Sequence, residues 1–137
     1  MTKMEEMVAQ GMEEGAVGLS TGLFYAPGSF ANKEEIVALA KVAHRYGGIY
    51  DTHMRDERSY SIGLINSVKE ALEIGKESGI PVHISHIKAL GADVWGKSEA
   101  VIALIEEAWN KRAQVTANQY PYTASKTSLI LPMTVFS

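Results

Sequence analysis

The 137-residue sequence contains no cysteine. That absence excludes disulfides, thiolate zinc fingers and cysteine nucleophiles, and it suits a reducing cytoplasm. A basic surplus is missing too: 13 lysines and arginines stand against 16 aspartates and glutamates, a formal net charge of −3. Proteins that grip a nucleic-acid backbone show the opposite balance on one face, so no nucleic-acid partner is expected. No apolar run approaches the ~18–20 residues of a membrane-spanning helix, so no membrane partner is expected either. The start, Met1-Thr2-Lys3-Met4-Glu5-Glu6, has neither the basic region nor the apolar stretch of a secretory signal. What is present is 46% hydrophobic residues, enough for the core of one domain.

Four short runs read as strands: Ala16–Ser20, Gly48–His53, Ile80–His86 and Ala113–Gln119. Each is short, rich in β-branched or aromatic residues, and bounded by glycine or polar turns. Longer segments with helical period lie between them. Asn32 followed by Glu35 forms a capping pair, Ile36, Leu39, Ala40 and Ala43 then share a face, and Gly47-Gly48 supplies the stop. Ile62–Ser78, ending at Gly79, and Ser98–Arg112 repeat the pattern, and Thr2–Glu14 is a further amphipathic helix. The last strand residues, Ser20, His53, His86 and Gln119, are each 33 positions apart. Alternating strands and helices imply parallel pairing with right-handed crossovers. The even spacing suits a partial (β/α)8 TIM-type barrel of about four βα units, an α/β half-barrel, better than an open doubly wound sheet. No Gly-x-Gly-x-x-Gly or Gly-x-x-x-x-Gly-Lys-Ser/Thr loop follows any strand, which removes the usual nucleotide-binding versions.

Parallel α/β folds gather their chemistry at the carboxyl ends of the strands. His53 and His86 stand at those ends on adjacent strands, about 4.8 Å apart by ordinary strand spacing. Two imidazoles so placed can share a metal, zinc being the usual partner, or can be inert hydrogen-bonded polar residues. His83 lies an odd number of steps from His86, so alternation assigns it to the opposite face, packed toward the helices. His44, beside Arg45 on a helix, reads as surface. Asp56 and Glu57 follow His53 closely; they can orient a ligand histidine as acceptors, although a solvated, self-paired loop is the plainer reading. Lys88, two residues after His86, can hold a carboxylate as a point charge or sit exposed on its loop. Tyr120-Pro121-Tyr122 ends the fourth strand, with hydroxyls that can serve an oxyanion or simply cap the rim.

Four motifs, in order, carry a family resemblance: Gly15-Ala16-Val17-Gly18-Leu19-Ser20-Thr21-Gly22-Leu23 with Tyr25-Ala26-Pro27-Gly28, then Thr52-His53-Met54-Arg55, then Ser85-His86-Ile87-Lys88, then Tyr120-Pro121-Tyr122. Together they resemble the N-acyl-D-amino-acid deacylases, the D-aminoacylases of the amidohydrolase superfamily, from about Gly11 to Ser128. The resemblance implies a zinc-dependent hydrolase on a distorted (β/α)8 barrel that splits the amide of a small N-acyl-D-amino acid. It implies His53 and His86 as metal ligands on the fifth and sixth strands, and residues 1–137 as one segment holding the fourth to seventh. Lys88 would bind the substrate carboxylate, aided by Tyr122 and Ser128, with Tyr120 and Ser125 as competing choices. The family's His-x-His pair and its cysteine ligand have no counterpart here. Its general-base aspartate and a carboxylate-binding arginine fall outside the stretch, so no catalytic residue is assigned within the chain.

Half a barrel alone would expose two strand edges and an apolar inner face. Two outcomes are expected: the segment works within a longer deacylase, or two copies close into a non-catalytic pseudo-barrel that binds metal between them.

Overall fold

A computed structural model describes residues 2–127. Four helices and four strands alternate in the expected order: α1 (Thr2–Glu13), β1 (Gly18–Gly22), α2 (Lys33–Arg45), β2 (Ile49–His53), α3 (Leu64–Ser78), β3 (Val82–Ile87), α4 (Ser98–Asn110) and β4 (Val115–Gln119). The strands form one parallel sheet in the order β1-β2-β3-β4, so each crossover leads to its immediate neighbour. A doubly wound sheet reverses direction and covers both faces with helices. Here α2 rests on β1 and β2, α3 on β3 and α4 on β4, as in half of a (β/α)8 barrel.

Local chemistry sets the helix ends. The Asn32 side chain accepts the Glu35 N–H at 2.8 Å, closing the cap of α2 that the sequence announces. Gly47 and Gly79 follow α2 and α3 with φ of +75° and +78°, the left-handed turn that glycine adopts without a Cβ penalty. Strand β1 begins two residues later than expected, because the turn after α1 uses Ala16, whose N–H donates to Gly11. As a result Gly22, not Ser20, pairs with His53.

The core lies between helices and sheet. Ile36, Val37, Ala40 and Ala43 of α2, Val68, Ala71 and Ile74 of α3, and Val101 and Ile105 of α4 are buried there. Tyr50, Val82, Ile84 and Val115 meet them from the sheet.

The opposite face is not the apolar surface expected of half a barrel. The Ser85 hydroxyl donates to Asp51 at 2.6 Å, and His83 meets Thr116 at 2.8 Å and Asn118 at 3.1 Å. Polar side chains that bond across strands satisfy one another there without a second layer. His83 therefore does not pack toward the helices. Val82 and Ile84 take that side, and His83 shares the open face with Thr116 and Asn118.

Candidate metal centre

Both predicted histidines reach one spot at the carboxyl end of the sheet. His53 closes β2, and its Nδ1 faces Nε2 of His86 at 3.1 Å. Zinc–nitrogen bonds of 2.0–2.1 Å set two ligand nitrogens of a tetrahedral ion about 3.3 Å apart, so the rings stand close to that spacing. The remaining nitrogens turn to one carboxylate. Glu57 Oε2 lies 3.8 Å from His53 Nε2, and Oε1 lies 3.5 Å from His86 Nδ1. The three side chains form the metal-competent cluster found among the described residues.

Glu57 is where the loop reading needs revision. With Asp56 it is not solvated: the two side chains are buried at 3% and 0% exposure. They do different work. Asp56 accepts N–H groups from Arg58 at 2.8 Å, Ser61 at 2.6 Å and Gly63 at 3.0 Å, and so folds the β2–α3 loop on itself. Glu57 instead faces the histidines and accepts from Lys88 Nζ at 2.6 Å. Burial pushes the Glu57 carboxyl above its ordinary value, while Lys88 and His86 pull it back toward ionisation. The sequence signal was its position, four residues after His53 in a run of charges.

Arg55 braces the same loop from behind. Its guanidinium grips Glu70 of α3 through Nε and Nη2 at 2.9 Å each, and donates to the Ser29 and Ala31 carbonyls at 3.0 and 2.9 Å. Those contacts tie the β1–α2 loop, β2 and α3 together beneath the site.

Lys88 is not a free loop cation. Only 13% of its side chain is exposed, its Nζ lies 2.9 Å from His86 Nδ1, and its ammonium sits 5.0 Å from the centre of the Tyr120 ring. The tyrosine brought to Lys88 is thus Tyr120, whereas Tyr122 is 72% exposed and stacks edge-on against Tyr120. Ser128 lies outside the described residues, and His44 is exposed as expected. The β1–α2 loop adds residues that sequence reasoning missed as site members. Phe24 and Tyr25 place their rings 5.9 and 5.0 Å from His53, and Tyr60 meets Phe24 from the β2–α3 loop.

His53 is prepared as a neutral donor. Burial first, then the nearby His86 and Lys88 charges, lower its pKa from 6.5 to about 4. Its Nε2 is buried without a hydrogen-bond partner, an orphaned polar atom beside a carboxylate. A site that keeps the His53 imidazole deprotonated, spaces two nitrogens for one ion and backs both rings with a carboxylate fits zinc.

That shift predicts a pH dependence in protein kept metal-free with a chelator. Between pH 6.5 and about 4 the unfolded chain protonates His53 and the folded chain does not. Stability is therefore present above pH 6.5 and declines as pH falls toward 4, by up to roughly 3 kcal/mol. Urea unfolding at a series of pH values should show this decline in the wild type and a shallower one in His53→Gln. Equal slopes would exclude the assignment.

No family model matches the chain. Among curated proteins it is 40% identical over 126 residues to a D-aminoacylase of Alcaligenes xylosoxydans xylosoxydans, covering 92% of this chain and 25% of that protein. It is 39% identical over 127 residues to an N-acyl-D-glutamate deacylase of the same organism, again across 25% of the relative. Among solved structures, a D-aminoacylase described as defining a novel subset of amidohydrolases superposes with a TM-score of 0.82 at 38% identity, over 89% of this chain and 25% of the other. The N-acyl-D-glutamate deacylase of Bordetella bronchiseptica, solved with zinc and a phosphonate mimic of the tetrahedral intermediate, gives 0.80 at 36% identity, over 86% and 24%. By sequence and by fold this chain is a homologue of the N-acyl-D-amino-acid deacylases, amidohydrolases of the D-aminoacylase type, and it spans about a quarter of the length of the relatives it matches.

Proposed function

We propose that this chain supplies part of the active site of a zinc-dependent N-acyl-D-amino-acid deacylase, an enzyme that hydrolyses the amide to a D-amino acid and a carboxylate. The observation that carries the reading is the pair of facing ring nitrogens of His53 and His86 at 3.1 Å, backed by one buried carboxylate. His53 and His86 hold the zinc, and Glu57 orients both rings through their outer nitrogens. When bound, zinc supplies Lewis-acid polarisation of the scissile carbonyl and activation of the attacking water. Lys88 provides the charge that meets the substrate carboxylate, at the cost of loosening its bond to Glu57. Tyr120 lies against that ammonium, Tyr122 and Ser128 complete the carboxylate-binding group, and Phe24 and Tyr25 wall the side nearest His53. No residue of this chain is assigned as the general base.

The strands correspond in this reading to the fourth to seventh of a full barrel, in a cytoplasmic enzyme. Among the described residues no helix is long and apolar enough to cross a membrane. A second reading draws on the free edges of β1 and β4, with Val17 and Ile49 exposed beside β1: two copies close edge to edge as a non-catalytic pseudo-barrel. One purified sample tests both. Metal analysis across a size-exclusion peak with light scattering should find stoichiometric zinc, and the chain by itself should not turn over N-acetyl-D-methionine. Zinc-dependent, saturable hydrolysis would show that the site is complete here, and a folded chain that takes up no zinc would overturn the metal assignment. A dimeric mass favours the pseudo-barrel, and a monodisperse monomer removes it.

A further inference from the structure

We propose that Asn118 is a positioning residue for His86, holding the β3 backbone in the shape that turns this imidazole toward His53; the inference rests on the metal reading above. Strand β3 begins regularly, with Val82 and Ile84 buried beneath the helices and His83 and Ser85 on the open face. Continued alternation would send His86 to the helical side with Ile84, away from His53. The strand departs from alternation at that point. Ile84 pairs with Ala117 and Ile87 with Gln119, so two residues, Ser85 and His86, stand against the single residue Asn118. His86 also adopts a φ of +41°, in the left-handed region.

A bulge of this kind removes a backbone N–H from the ladder. The N–H released is that of His86, and its acceptor is Oδ1 of Asn118. The ladder resumes one step later, where the Tyr120 N–H donates to the Ile87 carbonyl at 3.0 Å. Asn118 therefore spans the interruption with its side chain. Its amide is locked in orientation: a backbone N–H can only donate, so the oxygen must face His86, and the NH2 is left to donate to His83 Nε2 at 3.1 Å. His83 can then give its Nδ1 proton to Thr116, 2.8 Å away. Flipping the amide would break both Asn118 bonds at once. The polar pair His83–Thr116, which the metal site does not use, becomes the anchor of that tether.

Two substitutions separate positioning from bulk packing. Asn118→Leu keeps the volume and removes both bonds; Asn118→Asp keeps the acceptor for the His86 N–H. Zinc affinity, read by competition with a chromophoric chelator, should fall about 10- to 100-fold in Asn118→Leu and stay near wild type in Asn118→Asp. Solvent exchange of the His86 amide, followed by NMR in metal-free protein, should accelerate in the leucine variant only. Wild-type zinc affinity in a folded Asn118→Leu protein would overturn the proposal, as would equal losses in both variants. If the wild type binds zinc no better than a His53→Ala/His86→Ala double variant, it is the metal reading that fails. The tether then stands on the amide exchange, which an unchanged rate in Asn118→Leu would refute.

Discussion

Replacing His53 or His86 by alanine should lower zinc affinity by more than about 100-fold, beyond the 10- to 100-fold that loss of an orienting partner costs. Each imidazole offers one of two nitrogens that face each other at 3.1 Å, and Glu57 stands behind both rings. With either ring gone, one nitrogen and one carboxylate remain within reach, a set that binds divalent ions weakly. The fold should survive, because both histidines are at strand ends outside the buried apolar core. Glu57→Gln provides the graded comparison. It keeps the shape and one acceptor oxygen but removes the charge, so it should fall within the 10- to 100-fold range. Chelator competition with circular dichroism on the same samples measures both quantities. Alanine variants that bind zinc as the wild type does would place the ion elsewhere.

Asp56→Ala should cost on the order of 3 kcal/mol or more of folding stability, at about 1–3 kcal/mol for each buried N–H left without its acceptor. The side chain is fully buried and is the acceptor for the N–H groups of Arg58, Ser61 and Gly63. Removal strands three donors inside the loop, each carrying its own desolvation cost. Against a typical domain stability of about 5–15 kcal/mol, this threatens the fold itself. Asp56→Asn should lose less, since its single oxygen still serves Ser61 and Gly63 while its NH2 meets the Arg58 N–H unfavourably. Midpoints of urea unfolding rank the three proteins. A loss under about 1 kcal/mol for alanine would show that water satisfies those donors instead. Because the loop also carries Glu57, the two predictions meet: a loosened Asp56 turn should weaken zinc binding even where the protein stays folded.

Much of this molecule is legible in its local sequence pattern. Hydrophobic periodicity located all four helices, since a 3.6-residue period must bury one stripe, and the cap at Asn32 and the stops at Gly47 and Gly79 follow from backbone chemistry alone. The 33-residue spacing placed His53 and His86 at neighbouring strand ends, because strands that alternate with helices pair as parallel neighbours. Lys88 was visible by its place beside His86, but nothing local distinguishes a buried lysine from an exposed one.

The tertiary structure decided what period-two alternation could not. Alternation assigns His83 and His86 to opposite faces, but His83 takes the open face with Ser85, and the bulge opposite Asn118 then turns His86 away from the helical side toward His53. A bulge is stabilised by a partner on another strand, 32 residues away, so it leaves no trace in the local pattern of β3. Burial of Asp56 and Glu57 is likewise non-local. Charged residues in a loop read as solvated until Lys88, from the next strand's end, arrives to neutralise Glu57, and until the loop turns its own N–H groups onto Asp56. The choice of Tyr120 over Tyr122 beside Lys88 turns on the path the chain takes out of β4. The sequence by itself determined the alternating α/β order and the two histidines. Which faces those residues present, and which charges they meet there, was settled by contacts between strands and loops far apart in the chain.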